Sequence, residues 1–338
     1  MSESVTVIGC GSFGLAVSKL LSINADVNLV SRRKEQVEEI NTTHSLRGIS
    51  LPENIVATLD AESAIKASTV VFPVIPSANF RNSMIEIAPF IKPKHFIIHA
   101  TKGLEYNYPK NEFENYKTLI KTMSEVIQEE TSAIRVGCLA GPNLSSEILD
   151  GQPAATVVAS EFNEVITIGK ELLASDLFYV FGNSDILGVE LASSFKNIIA
   201  LGAGMLDGKG YGKNMQSVLI TRGLRELMFL GKALNRNISS FLGVAGIGDL
   251  IATSTSINSR NFSFGRRYAH GEVMEDILKS SEVVEGIRTA KIIYDLSREL
   301  KLRLPITSII YKIVYEGLDL DKAIGHLMRL PPDEIPVV

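Results

Sequence analysis

The chain has 338 residues, of which 45% are hydrophobic and 21% are charged. This composition excludes disordered, fibrous and disulfide-scaffold proteins, and the length predicts about two domains. The 34 basic and 38 acidic side chains leave a formal charge of −4, which gives no overall attraction for a nucleic acid. Any anionic ligand must therefore be bound by a local cluster of groups.

Cysteine content and hydropathy bear on the cellular compartment. Cys10 and Cys138 are too few for an extracellular disulfide framework, and their spacing is not that of a metal site. Residues 1–8 lack the features of a signal peptide, and no apolar run approaches the roughly 18 residues that span a bilayer. We therefore expect a cytoplasmic protein without integral membrane contact.

The first half of the chain alternates short apolar runs with segments of helical periodicity. A βαβ unit is predicted near the start, from an apolar run at 5–8, helical spacing at 13–21 and a second apolar run at 27–30. Further strands are predicted at 69–74, 96–100, 135–140, 154–158 and 178–181. This pattern is typical of an α/β domain with an open, mostly parallel sheet.

From about residue 184 the pattern changes to long segments of helical periodicity. These segments lie at 187–206, 215–234 and 290–300, and β-branched runs become sparse. We predict two domains, an α/β domain over residues 1–184 and an all-helical substrate and catalytic domain over residues 185–338.

A glycine motif directly follows the first predicted strand and opens the first helix. Gly9 would allow a tight turn, Gly11 the close approach of a pyrophosphate, and Gly14 close packing of the helix on the strand. The phosphates would then bind free N–H groups at the helix N-terminus. This context predicts a Rossmann-like dinucleotide-binding domain over residues 1–184.

The residues after the second predicted strand indicate which dinucleotide binds. A fold that prefers NAD normally places an acidic residue there for the ribose 2′-hydroxyl, but this chain has Ser31, Arg32 and Arg33. A hydroxyl and two guanidinium groups would attract a 2′-phosphate. We predict that NADP(H) is preferred, with NAD(H) as the alternative cofactor.

Three polar clusters indicate a substrate site. Lys102 follows the strand predicted at 96–100, at the sheet edge where such folds bind ligands. Lys196 lies in an otherwise apolar or small segment, where a lysine is costly unless it faces a cleft. The third cluster suits a phosphorylated polyol and comprises Asp249, Thr253, Ser259, Arg260 and Asn261.

Two histidines have the sequence spacing of a zinc pair. His95 and His99 flank a strand-forming segment, and residues four apart on a strand are about 13 Å from each other. That distance is too long for one metal ion, so we expect no metal site.

Beyond these motifs, the chain resembles the bacterial NAD(P)-dependent glycerol-3-phosphate dehydrogenases over nearly its whole length. The resemblance rests on the glycine motif and on further blocks in family order, at residues 100–105, 140–142, 195–200, 202–205, 219–223, 246–250, 259–261, 283–286 and 304–307. It implies interconversion of dihydroxyacetone phosphate and sn-glycerol 3-phosphate, which supplies glycerophospholipid synthesis. It also implies a homodimer.

The resemblance assigns roles to individual residues. It implies that Lys196 is the acid/base lysine, with Lys102 and Asp249 beside it. The implied substrate-binding residues are Lys102, Gly141, Asn143, Lys196, Asp249, Thr253, Ser259, Arg260 and Asn261. The implied cofactor-binding residues are Gly9, Gly11, Ser12, Phe13, Gly14, Arg32, Arg33, Lys102, Ser145, Arg260, Val283 and Glu285.

The chain also departs from the family pattern at three places. Asn143 replaces the usual Ser or Thr, Ser145 replaces the usual Ala, and the loop at residues 106–116 is longer. Because an asparagine still bonds a hydroxyl or a phosphate, we interpret the first change as tuning.

Two alternative functions stay open at this point. A lysine-dependent reductase of the 3-hydroxyacid dehydrogenase type would use similar residues, and a requirement for substrate phosphate would distinguish the two. A non-catalytic NADP sensor would keep the glycine motif but would need neither Lys196 nor Asp249.

Overall fold

The computed structural model describes residues 4–106, 120–280 and 283–329, and most of the longer loop expected at 106–116 lies outside them. Residue contacts divide the chain into two compact units. One unit comprises Met1–Thr101 and Met123–Ile186, and the other comprises Lys102–Thr122 and Leu187–Val338. Lys102 therefore belongs to the helical unit by its contacts. The domain boundary at residue 184 stays a prediction.

The described residues form strands and helices in the following order. The strands are β1 (Ser4–Ile8), β2 (Asp26–Val30), β3 (Ser45–Leu46), β4 (Ile49–Ser50), β5 (Ile55–Thr58), β6 (Val70–Pro73), β7 (Phe96–His99), β8 (Leu104–Tyr106), β9 (Ile120–Thr122), β10 (Arg135–Ala140), β11 (Ala154–Ala159) and β12 (Phe178–Asn183). The helices of the first unit are α1 (Ser12–Leu21), α2 (Lys34–Thr43), α3 (Ala61–Lys66), α4 (Ser77–Ile87), α5 (Met123–Glu130), α6 (Ser145–Leu149) and α7 (Asn163–Leu173). The later helices are α8 (Ile186–Gly208), α9 (Lys213–Ala233), α10 (Asp249–Thr255), α11 (Arg260–Ala269), α12 (Met274–Ser280), α13 (Glu285–Glu299), α14 (Pro305–Glu316) and α15 (Leu320–Arg329).

The first unit contains an eight-stranded sheet in the order β12-β11-β10-β7-β6-β1-β2-β5. Its strands are parallel except for the antiparallel pair β10 and β11, so the predicted mostly parallel sheet is confirmed. The strand order reverses at β1, which lies between β2 and β6. Ligands of open α/β sheets bind at the carboxyl ends of the strands beside such a reversal.

Burial explains why these runs form central strands. All four residues of β6 are buried, and Val5 and Val7 of β1 are fully buried. Strands covered on both faces are continuously apolar, as parallel sheets require. Helix α1 packs on the sheet through Leu15 and Val17. Because α1 begins at Ser12 and β1 ends at Ile8, the N-terminus of the helix lies close to the carboxyl end of the strand.

The second unit is built around α8, whose apolar residues are almost entirely buried. Helix α14 packs on α13 and α9 and begins beside a buried carboxylate. Glu226 of α9 accepts hydrogen bonds from the Ile306 and Thr307 N–H groups, which have no partner within their own helix. Burial raises the pKa of Glu226 to about 7. These bonds fix where α14 begins.

Two described segments are long and apolar enough to cross a membrane by composition, Ile186–Gly208 and Ile238–Ala269. The expectation that no run approaches that length therefore needs correction. In the first segment, however, 94% of the most apolar stretch is buried inside the protein, as in the core helix of a globular unit. The second segment begins with a 3-10 turn at Ile238–Phe241 and contains a π-helical turn at Val244–Gly248. It is broken again between Thr255, where α10 ends, and Arg260, where α11 begins.

Candidate functional site

The glycine motif of the first unit leaves space for a ligand on one side. Gly9 has φ +119°, and a Cβ at Gly9 would overlap the Val74 carbonyl oxygen. A Cβ at Gly14 would overlap the Gly9 carbonyl, so the loop and α1 approach too closely for any side chain. At Gly11, by contrast, a Cβ would meet no heavy atom of the described residues within 4 Å. The loop thus has a packed inner side and an open outer side.

The helix that follows begins at Ser12, and both Ser12 and Phe13 are partly exposed. The first N–H groups of a helix lack partners within the helix and attract anions. An open loop followed by a ten-residue helix fits the pyrophosphate of a dinucleotide. In the same loop, burial raises the pKa of the Cys10 thiol to about 11, which does not suit a nucleophile.

The turn after β2 differs in one respect from the arrangement expected for a 2′-phosphate. Ser31 is buried, and its hydroxyl donates to Gln36 Oε1 at 2.7 Å and accepts from the Arg33 N–H at 3.1 Å. Ser31 therefore stabilises the start of α2 and is not free to attract a phosphate. Arg32 and Arg33 are exposed. The predicted attraction thus depends on the two guanidinium groups.

Another group of predicted residues follows the carboxyl end of β10. Gly141 has φ +149°, and a Cβ there would lie 3.0 Å from the Thr156 Cα. Asn143 Nδ2 donates to Thr156 Oγ1 at 2.8 Å, and Thr156 in turn donates to the Ala140 carbonyl. Asn143 Oδ1 is buried and has no hydrogen-bond partner among the described residues. Ser145 begins α6.

The second unit places two lysines on one carboxylate. Lys102 Nζ lies 2.9 Å from Asp249 Oδ2, and Lys196 Nζ lies 3.0 Å from Asp249 Oδ1. Thr253, one turn along α10, accepts from Lys196 Nζ at 2.5 Å and donates to Asp249 Oδ1 at 3.0 Å. The structure therefore brings together Lys102, Lys196, Asp249 and Thr253.

The Lys196 ammonium group is held in a buried, charged environment. Lys196 is only 5% exposed, and burial lowers its pKa to about 8. The Asp249 carboxylate acts in the opposite direction, whereas Lys102 and Arg260 lower the Lys196 pKa further. A lysine with this pKa exchanges a proton readily near neutral pH, as a general acid and base must.

The start of α11 carries the other predicted substrate residues. Ser259 is buried and caps α11, because its Oγ accepts a backbone N–H of the first turn at 3.3 Å. Arg260 is exposed, whereas Asn261 is buried. At the start of α13, Val283 is exposed and Glu285 is partly buried. The roles of these five residues in binding stay predictions.

Asn197 and Gly286 join these residues, although no motif in the sequence indicated a role for either. Asn261 Nδ2 donates to Asn197 Oδ1 at 2.9 Å, and Asn197 Nδ2 donates to the Lys102 carbonyl oxygen at 3.3 Å. The Gly286 N–H donates to Asn261 Oδ1 at 2.9 Å. A second polar side chain directly after Lys196 was the signal that could have identified Asn197.

The two buried histidines have structural partners. His95 Nδ1 accepts the Lys92 N–H at 2.9 Å, and His99 packs edge-on against Phe80 with ring centroids 5.7 Å apart. Within the described ranges, no group of three or more His, Cys, Asp or Glu side chains is placed to hold a metal ion.

Comparison with known proteins assigns the chain to a family. Residues 4–166 match the family model described as NAD-dependent glycerol-3-phosphate dehydrogenase N-terminus, and residues 185–325 match the model of the C-terminus. The chain belongs to this family. The glycerol-3-phosphate dehydrogenase of Exiguobacterium sp., which is named for NAD(P)+, is 39% identical over 97% of this chain and 96% of its own length. The enzyme of the same name from Limosilactobacillus reuteri is 36% identical over 97% of both chains.

Solved structures agree with this family assignment. The glycerol-3-phosphate dehydrogenase of Coxiella burnetii superimposes with a TM-score of 0.88 at 28% identity, over 97% of this chain and 99% of that one. A ketopantoate reductase from Ralstonia eutropha gives a TM-score of 0.59 at 12% identity, over 96% of this chain and 99% of that one. The second likeness shows a common fold alone. The comparisons therefore do not support the other reductase or the NADP sensor as alternatives.

Proposed function

We propose that the chain catalyses the reversible reduction of dihydroxyacetone phosphate to sn-glycerol 3-phosphate with a nicotinamide dinucleotide. The observation that carries this proposal is the buried ammonium group of Lys196, paired with Asp249 and hydrogen-bonded to Thr253. A buried lysine with a depressed pKa and a fixed position is suited to carbonyl reduction. Family membership and the glycine motif supply the cofactor class.

The proposed proton transfer follows from the position and charge of Lys196. When bound, the dinucleotide supplies the hydride in reduction and accepts it in oxidation. As the carbonyl oxygen of the substrate becomes negative, the Lys196 ammonium stabilises and protonates it. In the reverse direction the neutral Lys196 amine takes the proton of the substrate hydroxyl. Asp249 and Thr253 hold the Lys196 nitrogen in place through both steps.

We assign the substrate phosphate to Arg260 and Asn261. The exposed Arg260 guanidinium offers paired N–H donors, which match the oxygens of a phosphate. The Asn261 amide next to Arg260 adds a neutral donor whose orientation is fixed by its hydrogen bonds. A ketone of the same carbon skeleton without the phosphate should therefore be a poor substrate.

A cofactor-oxidation assay tests the proposed activity directly. Purified protein is mixed with NADPH or NADH and then with either dihydroxyacetone phosphate or dihydroxyacetone. We expect oxidation that depends on the phosphorylated ketone, with a kcat/KM for dihydroxyacetone lower by at least about a hundredfold, since several charge-assisted bonds are lost. Equal rates with both ketones, or no oxidation with either, would overturn the proposal.

Within this reaction we propose a preference for NADP(H) over NAD(H), which rests on Arg32 and Arg33. A charge-assisted bond from a guanidinium to the 2′-phosphate contributes about 1.5–3 kcal/mol, or tenfold and more in affinity. Replacing both arginines by alanine should therefore raise the Kd of NADPH far more than that of NADH, measured by titration of wild type and double variant. The exposed side chains of Arg298 and Lys301 offer a control, since Arg298 lies in the last turn of α13 and Lys301 follows the end of that helix.

Two other outcomes of that titration would contradict the preference. If the arginines instead stack on the adenine ring, which both cofactors have, their loss would weaken the binding of NADPH and NADH equally. Equal losses, or a wild type that binds NADH more tightly, would refute the NADP(H) assignment and leave the hydride chemistry standing.

We also propose that the protein acts in the cytoplasm as a homodimer and supplies glycerol 3-phosphate for glycerophospholipid synthesis. The low cysteine content and the family resemblance support these statements. The mass of the purified protein in solution tests the dimer.

A further inference from the structure

Three consecutive hydrogen bonds connect the start of α13 to the backbone of Lys102. The Gly286 N–H donates to Asn261 Oδ1, Asn261 Nδ2 donates to Asn197 Oδ1, and Asn197 Nδ2 donates to the Lys102 carbonyl. We name this series the amide relay. Asn197 and Asn261 are both more than nine-tenths buried, so these bonds do not compete with bulk water.

The orientation of both amides in the relay is determined by the backbone groups at its ends. A backbone N–H can only donate, so the atom of Asn261 that faces Gly286 must be the oxygen. A backbone carbonyl can only accept, so the atom of Asn197 that faces Lys102 must be the nitrogen. With the two ends set, neither amide can flip alone without opposing two donors or two acceptors.

The relay meets the catalytic cluster at Lys102. The Lys102 carbonyl accepts from Asn197, and the Lys102 side chain reaches Asp249, which also binds Lys196. Lys102 is thus held at its backbone and at its ammonium group. A shift in the relay would move the charges that surround Lys196.

Gly286 has a second property that the relay requires. A Cβ at residue 286 would lie 2.5 Å from the Asn197 carbonyl oxygen and 2.8 Å from Asn261 Oδ1. The first of these is a backbone atom of α8, which cannot move aside without moving the helix that carries Lys196. Any side chain at residue 286 would therefore displace both asparagines.

We propose that Gly286 is a positioning residue, whose N–H and missing side chain fix the Asn261 and Asn197 amides and through them Lys102. This inference rests on the proposed function. The second N–H of each Nδ2 then has a fixed direction before the substrate binds, which lowers the entropic cost of orienting the phosphorylated substrate.

The substitution Gly286→Ala tests the relay against a matched glycine. We expect kcat/KM for dihydroxyacetone phosphate to fall on the order of ten- to a hundredfold, as for a displacement of about 1 Å near reacting groups. Gly325→Ala is the control, because Gly325 is also helical and a Cβ there meets no described atom within 4 Å. Its kinetics should equal those of wild type. If Gly286→Ala behaves like Gly325→Ala while wild type is active, the relay is refuted and the proposed function stands.

A double-mutant cycle separates positioning through the relay from a general structural effect. A Cβ at residue 286 would meet the Asn197 backbone carbonyl in any background, so the cycle pairs Asn197→Ser with Asn261→Ser, neither of which adds an atom beside the α8 backbone. If the two losses multiply, the residues act independently and the inference is wrong.

This cycle does not depend on the folding of Gly286→Ala. The double variant of Asn197→Ser and Asn261→Ser should then be about as impaired as the worse single variant. Multiplying losses would again contradict the relay. Absence of activity in the wild type would refute the proposed function itself, which keeps the two failures apart.

Discussion

Replacing Lys196 by alanine is expected to lower kcat by at least about a hundredfold, the usual loss when a general acid is removed. The Lys196 nitrogen lies 3.0 Å from Asp249, and we propose that it carries the acid/base step in both directions. The Kd of the cofactor should change little, since the phosphates are assigned to the glycine motif of the first unit. Steady-state kinetics with dihydroxyacetone phosphate and a cofactor titration measure the two effects.

A control variant separates this loss from the general effect of removing a lysine. Lys209 follows the end of the same helix and forms an exposed ion pair with Asp321. Such pairs contribute at most about 1 kcal/mol, so Lys209→Ala should keep the kinetics of wild type. Unchanged turnover in Lys196→Ala would remove Lys196 from the mechanism.

The substitution Asp249→Asn should impair both turnover and stability. The carboxylate forms ion pairs with both Lys102 and Lys196, and only 2% of its side chain is exposed. Removing one member of a buried ion pair typically costs about 3–5 kcal/mol, because charges are left uncompensated. Since Asp249 raises the pKa of Lys196, the asparagine variant should hold a larger fraction of Lys196 in the neutral form at pH 7. We therefore expect a lower kcat for ketone reduction and a lower Tm.

The kinetic part of this prediction decides the role of Asp249. Asp276→Asn on α12 is the matched control, because Asp276 pairs with Lys279 on the exposed surface. It should change neither kcat nor Tm appreciably. If Asp249→Asn lowered Tm but kept normal kinetics, Asp249 would be a structural group only.

Most of the large sheet could be predicted because its strands are buried on both faces. Residues 135–140 coincide with β10, and residues 5–8 with most of β1. The edge strand β5 is missing from the prediction, since it is short and its exposed Val56 interrupts the apolar run. Helix α13 begins at Glu285, ahead of the predicted start at residue 290. In the first turn of α13 the Gly286 N–H donates a hydrogen bond to Asn261 Oδ1. No local sequence pattern shows such a tertiary contact.

The site could be predicted in its residue types but not in its energetics. In the sequence, Lys196 stands out as a charge in an apolar or small segment, Lys102 by its place after a strand, and Asp249 as part of a polar cluster. The structure joins the three side chains. The direction of the Lys196 pKa could not be predicted, because it depends on burial, and burial outweighs the carboxylate. For the same reason the hydrogen bond between Ser31 and Gln36 could not be predicted, since it forms only in the folded chain.

The pH dependence of kcat/KM in both directions tests most directly whether Lys196 transfers the proton. Ketone reduction needs the ammonium form and glycerol 3-phosphate oxidation the neutral amine. Between pH 7 and 10 the substrate phosphate is already a dianion, so it does not change charge. We predict that kcat/KM for reduction is constant up to about pH 8 and then falls. The kcat/KM for oxidation should rise up to about pH 8 and then level off. In Asp249→Asn both breaks should move to lower pH. Breaks absent from this range in wild type, or unmoved in Asp249→Asn, would contradict the assignment of Lys196 as the acid and base.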